Sequence, residues 1–516
     1  MPASVLPVAD VQSAGWVKAG AVWKLALLAL LAGVSICWVF ATPIFGTSDE
    51  TAQVMKAASV ARGQLVGTAD GGPNTVVQVP QDLIGPVRVP CFALKPTISA
   101  GCQPSFGSNN TLVSEETWVG YYPPLYYLLV GWPSLFLHTG SALYSMRVLS
   151  ALLGAVFLAL AFFSAAEARG RSLLLPATAA LATPYLFVYN AAVNPGGLEM
   201  ASALCAWTSG LALVDNPGEA IRRRVLVRFV LAMAVLAQVR DFGPIFVGVI
   251  ALCLAGWYGY RSSWALLSNP RNRLIALVIA VCAVFAACWV LFVGNLSFSP
   301  STHQLAPHSG LFSTLQKSSR RFLFNVRQLV GNFGWTDTYP PQWVSALGLG
   351  VMGLMLVIGA AAAKARQRII TALLLLFAVA FPIALIAREA SREGILGQGR
   401  YWFPLLAGVV LVAAAAGGAR LAPNRLLWSG VAASAVVINV ICFQVALDRF
   451  RFGLGQPETH AGWNPPGGAD LWPILYAVLT VALVWTWWSQ CRVSPDGAAP
   501  EELPAEAGVL EPVGAP

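Results

Sequence analysis

Long apolar runs recur along the whole chain and decide the environment in which it can fold. Twelve runs, each of about 17–22 residues, have the length that an α-helix needs to cross the hydrocarbon core of a bilayer. Spanning β-strands would be shorter and alternate in polarity, and a span must satisfy its own backbone hydrogen bonds, so the runs predict helices. The charged fraction of 11% is roughly half that of soluble proteins. The sequence therefore predicts an all-α, multi-pass membrane protein with about twelve transmembrane helices, at residues 24–44, 147–166, 172–190, 197–214, 223–239, 242–259, 274–294, 343–363, 369–387, 401–418, 426–446 and 470–490.

Short basic loops between the runs predict the orientation. They contain Arg169 and Arg171; Arg222–Arg224; Arg261, Arg271 and Arg273; Lys364, Arg366 and Arg368; and Arg420 and Arg425. All of them fall on one side of the predicted topology, and the positive-inside rule makes that side cytoplasmic. The chain then divides into a cytoplasmic N-terminal segment at 1–21, a transmembrane domain at 22–490 and a disordered cytoplasmic tail at 491–516. The predicted location is a bacterial plasma membrane with both termini cytoplasmic.

The net charge of +9 does not predict a nucleic-acid partner. The basic residues stand singly or in threes between apolar runs, which is typical of charge that flanks membrane spans. The expected surroundings are the lipid bilayer, and binding of nucleic acid is excluded.

The segment Tyr121–His138 is apolar, but it is short, interrupted by prolines and rich in aromatic residues. If it crossed the membrane, every later basic loop would face outward, so we predict an interfacial or re-entrant helix instead. Residues 45–146 then form one large outer loop, and further outer segments follow at 295–342, 388–400 and 447–469. Long loops commonly carry function, so the active site is expected on the outer face.

Adjacent acids, Asp49 and Glu50, follow the first span by a few residues. A carboxylate there could act as a general base toward a hydroxyl, or bind a divalent cation such as Mg²⁺ or Mn²⁺. The next residues, Thr51–Gly63, have helical spacing. The alternative interpretation is therefore an acidic first turn that only caps a helix.

Three outer cations, Lys317, Arg320 and Arg321, run against the positive-inside bias, and an anionic ligand would explain them. A helix surface facing solvent or lipid headgroups would explain them equally well. Arg400, in "GQGRYWFP" at the outer entrance to a span, could point into a cavity at membrane level or only snorkel to the interface.

Several further polar residues stand at outer helix ends. Glu199 in "NPGGLE" is an acid at membrane depth, where ionisable residues are functional candidates, although it could also serve only as a helix-start acid. Arg240 and Asp241 could neutralise each other at a tight turn. Cys91 and Cys102 lie close together in the first outer loop and are either a disulfide or two free thiols. No Walker loop, dinucleotide-binding fingerprint or zinc-protease motif occurs.

The motifs "SDETAQ", "YYPPLYYLL", "NPGGLE", "GNFGWTDTYPP" and "GQGRYWFP" occur in this order between about residues 22 and 490. In the order and spacing of these motifs, the chain resembles a bacterial family of multispan membrane proteins, domain of unknown function 2142. That family is similar to the GT-C glycosyltransferases, whose first outer loop carries catalytic acids and juxtamembrane helices. These enzymes typically transfer a sugar from a polyprenyl-phosphate donor.

The resemblance maps the catalytic acid of the related enzymes onto Asp49, with Glu50 beside it. Under this interpretation, Arg400 and one or more of Lys317, Arg320 and Arg321 would bind the donor phosphate, together with Arg240. The expected substrate pocket contains Tyr122, Tyr126, Asn194, Glu199, Trp335, Asp337, Gln398 and Tyr401. The acceptor would be a glycan or glycolipid of the cell envelope.

The chain departs from the related pattern at two places. A proline and a histidine commonly follow the acids, where this chain has Thr51 and Gln53, and Gln53 cannot titrate. An acid commonly follows the Asn-Pro pair, where this chain has Gly196. Two other classes therefore stay open, a transporter or flippase for a lipid-linked saccharide and a non-catalytic envelope-assembly protein. The crowding of polar residues on the outer face favours the enzyme, because a transporter needs access from both sides.

Overall fold

The computed structural model describes residues 9–70, 74–84, 89–214, 219–259, 264, 268–293, 311–389, 397–455 and 462–492. The helices are α1 (Ala9–Ala41), α2 (Glu50–Ala61), α3 (Gln81–Ile84), α4 (Leu125–Val130), α5 (Thr139–Glu167), α6 (Arg171–Leu181), α7 (Pro184–Asn190), α8 (Pro195–Val214), α9 (Glu219–Val239), α10 (Gly243–Tyr258), α11 (Pro270–Phe292), α12 (Leu311–Gln328), α13 (Gln342–Ala362), α14 (Ala365–Glu389), α15 (Gly399–Gly418), α16 (Arg425–Phe452) and α17 (Leu471–Trp488). The strands are β1 (Thr68–Ala69), β2 (Thr75–Pro80) and β3 (Leu112–Thr117).

Each of the twelve predicted runs is helical, so the multi-pass helical prediction is confirmed. Among the described helices, nine are long and apolar enough to span a membrane, or ten if α6 and α7 form one broken span. The count of twelve is not confirmed, because α10 has only 16 residues and α9 carries four arginines.

The predicted span at 172–190 is not a straight helix. Its two halves, α6 and α7, are bent by 60°. Pro184 opens α7, and the residue before a proline is pushed out of the helical region, so Thr183 is extended. The break places α7 at the end of the bundle where α15 begins.

Two spans form the centre of the bundle. In the apolar 18-residue stretch of α8, and in that of α15, 89% of the residues are buried. Helix α15 packs against α6, α8 and α13. Small residues allow this close approach, since α15 ends in the run "AAAAGG". Both helices begin at the same end of the bundle, below the large first loop.

The short loops with Arg169–Arg171, Arg222–Arg224, Lys364–Arg368 and Arg420–Arg425 lie at the opposite end of the bundle, which we call the basic end. There Arg420 donates to the carbonyl of Ala362 at 3.3 Å and connects two of these loops. Glu167 accepts from Lys24 at 2.6 Å and from Arg228 at 2.7 Å, which ties α1, α5 and α9 together.

The first loop is shorter than predicted and contains both helices and strands. Helix α5 begins at Thr139, so the loop ends at His138 and not at 146. The loop holds a small antiparallel sheet in the order β1-β2-β3, with Thr75 opposite Thr117 and Pro80 opposite Leu112. This sheet was not predicted, because the apolar runs indicate helices throughout. Within Tyr121–His138, only α4 and one short 3-10 turn form, so this segment is not a span, as predicted.

Helix α2 is buried along its length and encloses a lysine. Lys56 has no exposed surface, and its ammonium donates to the carbonyls of Leu65 and Gly120, 5.9 Å from the Tyr127 ring. Because burial disfavours the charged form, the pKa of Lys56 falls to about 7.

This lysine predicts a pH-dependent stability. Between pH 7 and 10.5 the unfolded chain binds more protons than the folded one, so stability rises with pH by at most about 1.4 kcal/mol per unit. We expect the midpoint of thermal unfolding of the wild type to rise from pH 7 to pH 10 relative to that of Lys56→Met. The exposed Lys95→Met is the matched control and should follow the wild type. A pH-independent difference between the wild type and Lys56→Met would contradict this assignment.

Candidate active site

Asp49 lies near the start of the first loop, directly before the first residue of α2. Its backbone is left-handed, with φ of 69°, a conformation that aspartate adopts more readily than most residues. The side chain makes no capping hydrogen bond to α2. Its carboxylate is instead ion-paired with the guanidinium of Arg400, which overturns the interpretation of Asp49 as a simple helix cap.

Arg400 lies in the first turn of α15 and is almost completely enclosed. Its side chain is 2% exposed, while that of Asp49 is 25% exposed. The guanidinium carbon lies 4.7 Å from the ring centre of Tyr189 and 5.3 Å from that of Tyr401. Its Nε and Nη1 atoms are buried without a hydrogen-bond partner. Arg400 therefore has donors left for a second anion.

Two glycines allow close packing here, Gly196 against Arg400 and Gly399 against α12. A Cβ atom on Gly196 would lie 3.0 Å from Cδ of Arg400, and one on Gly399 would lie 2.7 Å from the carbonyl oxygen of Asn325. A larger residue after the Asn-Pro pair would therefore crowd Arg400. The absence of an acid at Gly196 has a steric explanation in this chain.

A second ion pair lies beside the first. Arg240 donates to Glu199 at 3.1 Å, and its guanidinium lies 4.6 Å from the ring of Tyr401 and 5.9 Å from that of Tyr122. Arg240 does not neutralise Asp241 at the turn, as the sequence had suggested; its carboxylate partner is Glu199. Because Tyr401 faces both arginines, the two ion pairs form one cluster.

The electrostatics of this cluster favour an anion. The N-termini of α8 and α15 open at the site, and a helix N-terminus carries about half a positive charge. The two arginines pair with two acids, Asp49 and Glu199, and the carboxylate of Asp241 also acts on Glu199 and Tyr122. Two donor groups of Arg400 are buried and unpaired, and the Asp49 carboxylate is the partly exposed member of the pair.

Tyr189 connects the parts of the site. Its hydroxyl lies 3.3 Å from that of Ser48 and donates to Gln398 at 3.4 Å. Tyr185, one turn earlier on α7, accepts from the backbone N–H of Arg400 at 3.1 Å. Neither tyrosine was predicted, although their spacing of four in "PYLFVYN" puts both on one helix face.

Two further residues that were predicted for the pocket, Asn194 and Tyr126, are buried. Asn194 accepts from the backbone of Gly196 at 2.9 Å, and its amide nitrogen is buried without a partner. Tyr126 is fully buried and its hydroxyl lies 2.9 Å from that of Ser150, so it supports the loop.

Glu50 does not reach the site. Its carboxylate receives two bonds from Arg147, from Nε at 2.7 Å and from Nη2 at 2.6 Å, and both side chains are 1% exposed. Arg147 also donates to the carbonyls of Thr42 and Pro43. The predicted catalytic role of Glu50 is therefore corrected to a structural one, and Arg147, a lone arginine entering an apolar run, was missed.

Gln53 also points away from the site. It accepts from the hydroxyl of Tyr127 at 2.5 Å and is buried in the loop. Gln53 occupies the position where related proteins commonly have a histidine, and here it holds α2 against α4.

Trp335 and Asp337 belong to a separate anchor. Asp337 pairs with Arg449 at 3.1 Å, and Arg449 donates to the carbonyls of Phe92 and Ile98. The disulfide between Cys91 and Cys102 packs in the same cluster, with its Cα atoms 6.2 Å apart. Trp335 donates to the carbonyl of Phe45 at 3.0 Å. These contacts hold the first loop against α16 and do not line the pocket.

The three outer cations lie on α12. Lys317 and Arg320 are exposed, and within the described residues neither bonds to the cluster, so their binding of the donor phosphate stays a prediction. Arg321 donates to the carbonyl of Gly397 at 2.9 Å and supports the turn before Arg400. On the buried face of α12, Gln328 accepts from the backbone of Gly399 at 2.7 Å, a positioning contact that the sequence did not indicate.

Among the residues that the structure describes, no group of three or more histidine, cysteine, aspartate or glutamate side chains could hold a metal ion. The two acids next to the first span do not form such a group, since Glu50 is bound by Arg147. The divalent cation stays a prediction from the sequence.

Comparison with known proteins gives a family and two structural neighbours. Two crystal structures of ArnT from Cupriavidus metallidurans, one in the apo state and one bound to undecaprenyl phosphate, align with a TM-score of 0.45 and 14% identity. They cover 92% of this chain and 78% and 77% of their own. No curated protein matches. A family model described as "Predicted membrane protein (DUF2142)" matches residues 31–409, well over half of the sequence, and the chain therefore belongs to this family.

Proposed function

We propose that this protein is a membrane glycosyltransferase that transfers a sugar from a polyprenyl-phosphate donor to a glycan or glycolipid acceptor on the outer face of the plasma membrane. The observation that carries the proposal is the contact between Asp49 and Arg400. It joins a partly exposed carboxylate to a buried guanidinium that still has two free donor groups.

Each of the two residues has the chemistry that one half of the reaction needs. Asp49 takes the proton from the acceptor hydroxyl as its oxygen attacks the anomeric carbon of the donor sugar. The bond between that carbon and the phosphate oxygen breaks, and the electron pair leaves with the polyprenyl phosphate. Arg400 stabilises the added negative charge on this leaving group, helped by Arg240 and by the N-termini of α8 and α15.

The ion pair itself supports an order of binding. A carboxylate paired with the Arg400 guanidinium is not free to accept from an acceptor hydroxyl. A donor phosphate that binds Arg400 competes with Asp49 and leaves the carboxylate free for the acceptor. The donor is therefore expected to bind first.

The reaction is tested with the purified full chain in lipid vesicles. A panel of labelled polyprenyl-phosphate sugars is offered together with envelope glycan and glycolipid acceptors. We expect label to appear on an acceptor with release of polyprenyl phosphate. Movement of intact donor across the vesicle membrane without bond cleavage would instead identify a flippase. Donor binding without either event would identify a non-catalytic protein.

The role of Arg400 predicts a large effect of a charge-preserving substitution. Arg400→Lys retains the charge but loses the forked donors that match a phosphate. We expect kcat/KM for transfer to fall by about 10²–10³, the usual result of losing one donor to a developing charge. Arg420→Lys, at the basic end, is the matched control and should transfer at the wild-type rate. Equal rates in both variants would remove Arg400 from the mechanism.

A further inference from the structure

An apolar cavity of about 510 Å³ lies between α8, α9, α10 and α11. Its walls are built mainly from small and aliphatic residues. They include Gly210, Gly248, Ala251, Ala255, Ala276 and Ala280. Its polar groups, Arg222, Tyr258 and Asn272, all come from the helix ends that meet at the basic end.

This cavity is separate from the candidate active site. On α8 its lining begins at Gly210, eleven residues after Glu199, which corresponds to about 16 Å along the helix axis. It therefore lies in the half of the bundle toward the basic end, away from Arg240 and Arg400.

The depth of the cavity matches one leaflet of a bilayer. Its lining on α9 runs from Arg222 to Met233, again about 16 Å, and the hydrocarbon core of a bilayer is about 30 Å thick. The short basic loops predict that the basic end faces the cytoplasm. A molecule with its headgroup at Arg222 and its chain in the cavity would then belong to the cytoplasmic leaflet.

The lining excludes water and favours a hydrocarbon chain. Apolar cavities stay dry even when they are large enough for several waters. Gly248, Ala251 and Ala276 are exposed, so the cavity opens to the side of the bundle, where lipid is the neighbour. A Cβ atom added to Gly248 would meet nothing within 4 Å.

We propose that the cavity binds one acyl chain of an anionic phospholipid from the cytoplasmic leaflet, with the lipid phosphate at Arg222. The adjacent Arg223 and Arg224 are exposed and add positive charge at headgroup level. The occupant is not the donor of the proposed reaction, because the donor phosphate would be bound at Arg400, at the other end of α8.

The proposal is tested by filling the cavity. Gly248→Leu places a side chain in it, and Gly350→Leu on α13 is the matched control, since a Cβ there also meets nothing within 4 Å. After purification in mild detergent, we expect the wild type and Gly350→Leu to retain about one anionic phospholipid per chain, measured by mass spectrometry of extracted lipid. Gly248→Leu should retain about tenfold less.

A second measurement does not depend on whether Gly248→Leu folds. Phosphatidylglycerol added to delipidated protein should raise the midpoint of thermal unfolding of the wild type, and phosphatidylcholine should not. Arg222→Gln leaves the glycines of the cavity unchanged, but it should lose this preference between headgroups. Equal lipid retention by Gly248→Leu and the wild type, or a polyprenyl lipid as the retained species, would overturn the proposal. Neither readout depends on sugar transfer, so the proposal can fail while the proposed activity stands.

Discussion

Replacing Asp49 with Asn is expected to abolish sugar transfer while the protein still inserts and folds. Loss of a general base typically slows a reaction by about 10²–10⁴-fold, and the amide of asparagine cannot accept the proton. Folding should be preserved for two reasons. Asparagine has nearly the same shape as aspartate, and it also tolerates the left-handed backbone that Asp49 adopts, with φ of 69°. Transfer is measured with the active donor in vesicles, and folding by the midpoint of thermal unfolding.

Asp82→Asn is the control for this substitution, because Asp82 is another acid of the first loop and bonds to the backbone of Asn109 away from the site. It should transfer sugar at the wild-type rate. Wild-type transfer by Asp49→Asn would sink the assignment of the base. Donor binding should be retained or strengthened in Asp49→Asn, since the neutral amide competes less for Arg400.

Replacing the neighbouring Glu50 with Gln is expected to have the opposite result, an unstable protein. Glu50 neutralises Arg147, and both are nearly inaccessible to solvent. Removing one partner of a buried ion pair typically costs about 3–5 kcal/mol, because the other charge stays buried and unpaired. We expect a lower yield and a lower midpoint of thermal unfolding. Asp49→Asn would thus lose activity but keep its stability, whereas Glu50→Gln would lose stability.

The double variant Glu50→Leu with Arg147→Met isolates the cause of this instability. Replacing both members of a buried pair with apolar residues is often neutral, so much of the lost stability should return. A stable Glu50→Gln protein that fails to transfer sugar would instead place Glu50 in the chemistry. A double variant no more stable than Glu50→Gln would show that the carbonyls bonded by Arg147 matter more than the ion pair.

Much of the helical architecture could be predicted from the sequence, because hydrophobic length has few interpretations in a bilayer. The bend at Thr183 was also foreseeable, since Pro184 follows it inside an apolar run. The small sheet was not predicted. Its strands are short, and the pattern of Thr75–Pro80 alternates over too few residues to stand out beside the spans.

The candidate site was only partly predictable. Asp49 and Arg400 each stood out by position, but no periodicity connects residues 351 positions apart. Adjacent acids are equivalent in sequence, and only three-dimensional packing separates Asp49, which pairs with Arg400, from Glu50, which is held by Arg147. The charges of Lys317 and Arg320 likewise could not show which face of α12 is buried, and both residues are exposed.

The distance along the chain between Asp49 and Arg400 has a consequence for biogenesis. Synthesis proceeds from the N-terminus. Arg147, the partner of Glu50, is made 97 residues after it, whereas Arg400, the partner of Asp49, is made 351 residues later. The Asp49 carboxylate is therefore made early, and its Arg400 partner is added only when α15 enters the bilayer. The ion pair on which the proposed transfer depends is completed after the pair of Glu199 with Arg240, whose residues are both synthesised earlier.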